Sequence, residues 1–216
     1  EVSRDFIVGH QKVLHVFDIA NITSASVDWA FSNNSYIITI KRYPEDKIIG
    51  GARLQISNPE SVLPIEDAVG EMDDDVFQYI SSLRNEGVAE VCGLWNTREA
   101  AKLGIGSTFL TRAALTVASQ IKIKALVMLC APSTVRMATN LGAKIIAELG
   151  NSGRFYYPKL DLVATAMIKT DIFDLSNVIL EEREIINSLR VNPTQVQNNK
   201  SKNGTITEIE YDLRIK

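Results

Sequence analysis

Ala89-Glu90-Val91-Cys92-Gly93-Leu94-Trp95-Asn96, followed after a short gap by Lys102-Leu103-Gly104-Ile105-Gly106-Ser107, is the stretch that decides the fold. An apolar run holding one acidic residue reads as a buried strand over 88–95. It feeds a glycine-bearing turn that opens an apolar-periodic helix over 104–119. The first N–H groups of a helix lack intrahelical acceptors and carry partial positive charge, so they form a site for phosphate oxygens. Glycine suits that turn because a side chain would keep a phosphate off the backbone and exclude positive φ. Lys102 adds a cation at the edge, and Ser107 is placed either to hydrogen-bond a phosphate or to cap the helix locally. By itself the turn is a weak sign. A dinucleotide site wants G-x-G-x-x-G but position 109 is Phe, and the Gly-Lys-Ser/Thr of a P-loop is absent. A tight turn into a helix, with no ligand, is the plain alternative.

Outward from this unit, 125–130 is a second apolar run without alternation, which predicts a strand covered on both faces and parallel to the first. A short helix over 133–141 follows, ended by Gly142 as a C′ residue, and then closing strands at 145–149 and 162–168. Upstream, the β-branched run 35–40, turn residues 44–47 and the run 48–56 predict an antiparallel hairpin. Amphipathic spacing over 65–83 predicts two short helices. There Asp73-Asp74-Asp75 reads as a cap rather than a metal site, since no matching oxygen-ligand loop follows. Residues 4–28 predict one or two short helices. Beyond 171 the expectation is a helix over 173–189, a polar linker of disordered character over 192–204, and a late strand over 205–215. That strand would pair either with the domain's own sheet or with another subunit. The expected class is therefore α/β of the α+β type: a mixed, mostly antiparallel sheet with a central parallel strand pair, flanked by helices. It divides into a domain over 1–170 and an extension over 171–216.

With 216 residues the chain can bury a sizeable core without a disulfide or metal staple. A formal net charge of −3 shows no basic footprint, which argues against nucleic acid as a partner. Cys92 and Cys130 sit in apolar runs and read as small buried strand residues rather than nucleophiles. His10 and His15 have no zinc-like spacing with them, and no metal is expected. Asn21, Asn33 and Asn203 stand in glycosylation sequons, a pattern common by chance. No run is long enough to span a bilayer and no signal peptide opens the chain, so the expected location is cytoplasmic. The first residue is Glu1, which leaves room for an upstream segment already removed.

The order of these elements resembles the GNAT superfamily of N-acyltransferases. Its Arg/Gln-x-x-Gly-x-Gly/Ala turn is matched here by Gly104 and Gly106, with Ala101 at the Arg/Gln position. The family's Tyr-x-x-x-Gly-Phe pattern falls on 138–143, where Gly142 matches and Ala138 replaces the tyrosine. Within the superfamily the chain is more similar to autoinducer (acyl-homoserine-lactone) synthases and long-chain N-acyl amino acid synthases. Gly50-Gly51-Ala52-Arg53-Leu54 matches their Gly-x-Ala-Arg-Leu strand, and Glu90 matches the glutamate of their Glu-x-Ser-Arg, with Gly93 in place of the arginine. Of the paired acidic residues those synthases carry before the hairpin, only Asp28 has a counterpart.

The resemblance implies an N-acyltransferase that moves an acyl group from acyl-CoA, or from the acyl-phosphopantetheine of an acyl-carrier protein, to a small amine or amino acid. A catalytically impaired acyl-CoA-binding or regulatory module of the same fold is the alternative. Glu90, fourteen residues before Gly104, is the implied general base. Desolvation within the strand would raise its pKa toward a useful range, and an ion pair with Arg53 is the competing role. Backbone donors near Leu94, Trp95 and Asn96 would polarise the thioester, with Trp95 lining the acyl tunnel or sitting in the core. Lys102, Leu103, Gly104, Ile105, Gly106 and Ser107 would hold the phosphates, and Arg53 would meet the acceptor. For a carrier protein, Lys122, Lys124, Arg136, Lys144 and Arg154 would supply a basic surface near the cleft. Either a monomer or a homodimer is compatible with the sequence.

Overall fold

The computed structural model describes residues 2–19, 22–31, 33–201 and 204–215. Its sheet begins with the expected hairpin, β1 (Ser35–Arg42) antiparallel to β2 (Lys47–Ile56). Next to β2 runs β3 (Val88–Asn96), again antiparallel, with Arg53 opposite Cys92 and Gln55 opposite Glu90. The expected parallel pair is present: β4 (Ala125–Cys130) lies beside β3 over Val88–Ala125, Ala89–Leu126 and Glu90–Val127. On the far side of β4 the sheet closes with β7 (Val163–Lys169), which also pairs with the short β5 (Lys144–Ile145) and β6 (Arg154–Tyr156).

Alternation of side chains sorts this sheet into two cores. Ala52, Leu54, Val91, Leu126 and Met128 face α5 (Ser107–Gln120) and α6 (Pro132–Asn140). Ala125, Val127 and Ile168 face the opposite layer, with α2 (Pro64–Val69) and α3 (Asp75–Leu83). Strand β4 is thus covered on both faces, as its unbroken apolar run predicts. The cap before α3 differs from expectation. Asp74 occupies the N-cap without a side-chain bond, while Asp73 accepts the Asp75 N–H at 3.1 Å and the Gly150 N–H at 2.6 Å. Helix α6 ends as expected, with Gly142 at φ 85° and the Ala143 N–H reaching back to the Ala138 carbonyl at 3.0 Å.

The N-terminal region forms one helix, α1 (Val2–Val16), followed by 3-10 turns at Thr23–Ala25 and Asp28–Phe31. Phe6, Trp29 and Trp95 make a third small core where α1 lies on the sheet. Gly9 permits this approach: a Cβ there would stand 2.2 Å from Trp95 Cη2. Gly9→Ala improves helix propensity by about 1 kcal/mol, yet overpacking of a core site costs about 1–3 kcal/mol. A net loss of stability is therefore expected, read as a lower denaturant midpoint; a gain would show that α1 does not rest on Trp95.

Three readings beyond the sheet are corrected. The helix expected over 104–119 starts at Ser107 and is preceded by a separate short helix, α4 (Arg98–Lys102), capped by Thr97 Oγ1 accepting from the Ala100 N–H at 3.2 Å. The helix expected over 173–189 is α7 (Leu180–Val191), because Asp171 and Asp174 take the Phe173 and Ser176 N–H groups at 2.8 Å and hold 171–176 in turns. The polar linker is a strand, β8 (Thr194–Lys200), paired along its whole length with β9 (Ile206–Asp212). The late strand therefore does not join the domain's sheet. Among the described residues it forms a separate two-stranded sheet with β8.

Candidate active site

Beyond Glu90 and Val127 the parallel ladder between β3 and β4 stops. The strands part here for a local reason. Register along β2 slips between Gly51 and Arg53, so β3 bulges opposite Ala52, and Gly93 takes φ 55° at the bulge. The opening is a cavity of about 250 Å³ whose walls include Glu90, Gly93, Leu94, Met128 and Cys130 from the strands, His10 and Leu14 from α1, and Tyr157.

Glu90 is 2 % exposed, and its carboxylate accepts the Ile65 N–H at 2.8 Å. Burial pushes its pKa up to about 8, against the smaller opposing pulls of that hydrogen bond and of Arg53. The ion pair anticipated between Glu90 and Arg53 is not formed. Arg53 stands opposite Cys92 rather than Glu90, donates from Nε to Cys92 Sγ at 3.2 Å, and stacks its guanidinium 4.7 Å from the Trp29 ring centre. Arg53 Nη1 and Gln55 Oε1 are buried without hydrogen-bond partners. Both residues line a second, more polar cavity of about 470 Å³, together with Asn34, Ser61 and Asp67. The two cavities share Thr23 and Pro64.

The glycine turn lies at the start of α5, with Gly106 as its N-cap and Gly104 at φ 73°. Ile105 is buried and anchors the turn, Leu103 is half-buried, and Lys102 is exposed at the end of α4. Asn96 Nδ2 donates to Ser107 Oγ at 3.2 Å, tying the end of β3 to the helix start. Space around the two glycines differs. Nothing lies within 4 Å of a Cβ built on Gly106, whereas one on Gly104 would meet Ser201 Cβ at 2.8 Å. The tip of the β8–β9 hairpin thus rests on one side of the turn.

Of the residues singled out in the sequence, Glu90 and Leu94 meet at the cavity and Gly104 to Ser107 form the turn. Trp95 does not line the cavity: it is buried between Phe6 and Gly9, on the α1 side of the sheet. Cys92 and Cys130 are buried, and desolvation pushes their thiols up to about 12 and about 11, so neither is a thiolate nucleophile at neutral pH. The basic surface expected near the cleft is divided. Lys122 and Lys124 precede the first residue of β4, at the closed end of the parallel pair, and Lys124 pairs with Glu86. Ala138, at the family tyrosine position, is fully buried in the core. Tyr157 enters the cavity instead, its hydroxyl accepting the Thr23 N–H at 2.8 Å. Sequence reasoning missed Tyr157 and His10, because neither stands in a motif. The three ligand oxygens of Asp73, Asp74 and Asp75 lie within 4.8 Å of one another, with Asp73 occupied by backbone N–H groups. Asp28's side chain, Asn21 and Asn203 lie outside the described residues, while Asn33 is exposed.

Known structures share this arrangement of sheet and helices. FeeM, an N-acyl amino acid synthase from uncultured soil microbes, superposes with a TM-score of 0.61 at 14% identity, over 83% of this chain and 90% of its own. The fold is that of the GNAT acyltransferases. BjaI, a CoA-dependent acyl-homoserine lactone synthase solved with SAM and isopentyl-CoA, superposes at 0.53 and 13% identity, over 91% of this chain and 84% of that one. A GNAT-family acetyltransferase from Staphylococcus aureus Mu50 superposes at 0.50 and 11% identity, over 77% and 91%. No protein-family model and no curated protein matches the sequence. No described helix is long and apolar enough to cross a membrane.

Proposed function

We propose that this chain is an N-acyltransferase that moves an acyl group from a phosphopantetheine thioester to the amine of a small, carboxylate-bearing acceptor. The observation that carries this reading is the cavity between the parted strands, with the buried Glu90, its pKa raised by desolvation, in its wall and the open N-cap Gly106 at the following helix. The donor's phosphates would lie on the Gly104–Ser107 turn with Lys102 at its edge, and the pantetheine arm would run along Leu94. Free amine nitrogen attacks the thioester carbonyl carbon as the C=O electron pair moves onto oxygen. Collapse of that intermediate breaks the C–S bond. The nitrogen's proton passes to the Glu90 carboxylate and from there to the departing thiolate, leaving amide and free thiol in balance.

Arg53 supports an acceptor with a carboxylate, because its Nη1 is buried without a partner and the residue lines the polar cavity beside Gln55. A bidentate guanidinium–carboxylate pair would satisfy that group. Arg53→Lys is therefore expected to raise the acceptor KM about tenfold with a smaller change in kcat, measured against an amino-acid panel. An acceptor of this kind is in keeping with the similarity to FeeM, an N-acyl amino acid synthase, and to BjaI, solved with SAM.

Thermal-shift measurements with CoA, acetyl-CoA and a long-chain acyl-CoA, followed by mass spectrometry of products after incubation with amino acids, test the reading. Binding without product would favour the impaired, acyl-CoA-binding module. Absence of binding to any of the three would exclude a CoA donor. At the turn, Gly106→Val separates phosphate binding from folding, since its φ of −119° suits any residue and its surroundings are open. Stability is expected to change by no more than about 0.5 kcal/mol. The CoA Kd is expected to rise at least about tenfold by calorimetry, because the side chain would stand where phosphate must approach the N–H groups.

A further inference from the structure

Resting on the proposed acyl transfer, we infer that His10 of α1 donates a hydrogen bond to the thioester carbonyl oxygen and stabilises the oxyanion that forms there. His10 is only 4 % exposed, yet its imidazole makes no hydrogen bond among the described residues. Its ring nitrogens are not among the fully enclosed polar atoms, and the side chain lines the same cavity as Glu90. Its Cε1 is 3.7 Å from the position of a Cβ on Gly93, so the ring stands over the bulge where β3 and β4 begin to part. A ligand atom in the cavity is thus the available partner.

Charge decides which role this partner takes. Burial, and next the nearby Arg53 guanidinium, lower the His10 pKa to about 4, so at neutral pH the ring is an uncharged imidazole. Such a ring is a poor acceptor for an amine's proton beside Glu90, whose pKa is near the operating pH. It retains one N–H, and a neutral imidazole pre-oriented toward a carbonyl acts as an electrophilic donor without giving up its proton. As nitrogen attacks, negative charge grows on the carbonyl oxygen and the His10 hydrogen bond strengthens. As the C–S bond breaks, the electrons return to the C=O bond and the imidazole keeps its proton.

Isotope-edited infrared spectra of bound [1-13C]octanoyl-CoA test this without an acceptor. With the wild-type chain the carbonyl stretch is expected below its value in solution, and His10→Leu is expected to return it toward that value. In turnover with an amino-acid acceptor, His10→Leu should lower kcat by about a hundredfold. The donor KM should stay within about threefold, while His10→Gln, which keeps an N–H donor, recovers part of the loss. If His10→Leu fails to fold, His10→Ala with added imidazole serves, and restored turnover supports the role. An unchanged carbonyl frequency or an unchanged kcat in these variants overturns the assignment to His10 while leaving the acyltransfer reading intact. Failure of the wild-type chain to bind octanoyl-CoA excludes a CoA donor and moves the same measurements to an octanoyl-acyl-carrier protein; failure with both donors overturns both readings.

Discussion

Glu90→Gln is expected to lower kcat by at least about a hundredfold while the donor Kd stays within about threefold. The carboxyl is needed to take the amine's proton, and general-base contributions run to about 10²–10⁴. The amide fills the same space beside the Ile65 N–H and donates no new charge to the cavity. Stopped-flow or product-release kinetics with a fixed acyl-CoA and amino acid would measure it, and an undiminished kcat removes Glu90 as base. The pH dependence has two signs. Activity requires the deprotonated carboxylate, so kcat should rise with pH toward a half-point of about 8. Stability moves oppositely. Between the ordinary carboxyl value of 4.5 and the folded value of about 8, the folded chain holds a proton that the unfolded chain has released. Stability therefore falls as pH rises through that window. Glu90→Gln abolishes this fall, so the variant should gain on the wild type by a few kcal/mol at most between pH 5 and 8. Chemical denaturation at both pH values would show it.

The parts of this site that repeat a local rule were legible in the sequence. A strand, a glycine turn and a helix follow from residues 88–119 alone, since apolar runs and glycines act over a few neighbours. Gly142 at the end of α6 is of the same kind. What the sequence did not disclose is which neighbour each polar side chain meets. The Glu90–Arg53 pairing failed although the bulge between Gly51 and Arg53 puts both on one face of the sheet: Gln55 stands opposite Glu90, Arg53 is held by Cys92 and Trp29, and the Glu90 carboxylate takes the Ile65 N–H. Trp95 carries the same aromatic surface whether it faces a ligand or a helix, and the close approach of Gly9 in α1 decided for the helix. His10 had no motif at all. Its relevance arises because α1 crosses β3 at Gly93, a contact between residues distant in sequence. Residues 194–200 are rich in Gln and Asn, which gives them a disordered composition, but seven backbone pairs with β9 hold them as a strand.

Arg112→Met is expected to cost about 3–5 kcal/mol of stability, the largest single effect outside the site. Arg112 and Glu182 are 4 % and 7 % exposed and form two parallel hydrogen bonds, Nε to Oε2 at 2.9 Å and Nη2 to Oε1 at 2.8 Å. Removing the guanidinium leaves a carboxylate desolvated and unpaired. The double change Arg112→Met with Glu182→Leu should recover most of the loss, because apolar groups of similar volume need no partner. Denaturant titration of the two singles and the double, read as a double-mutant cycle, measures the coupling. A single-mutant loss below about 1 kcal/mol would mean that water reaches Glu182. The effect should also extend to donor binding. Arg112 Nη1 donates to the Tyr211 hydroxyl at 3.3 Å, and Tyr211 is the buried residue of β9. This bond helps tie the base of the hairpin to α5, while its tip touches Gly104 through Ser201. An isolated two-stranded sheet is marginal in water, so its position depends on such ties. Tyr211→Phe removes that bond and leaves Arg112 paired with Glu182. It should therefore alter the CoA Kd with little change in the denaturant midpoint, whereas Arg112→Met alters both.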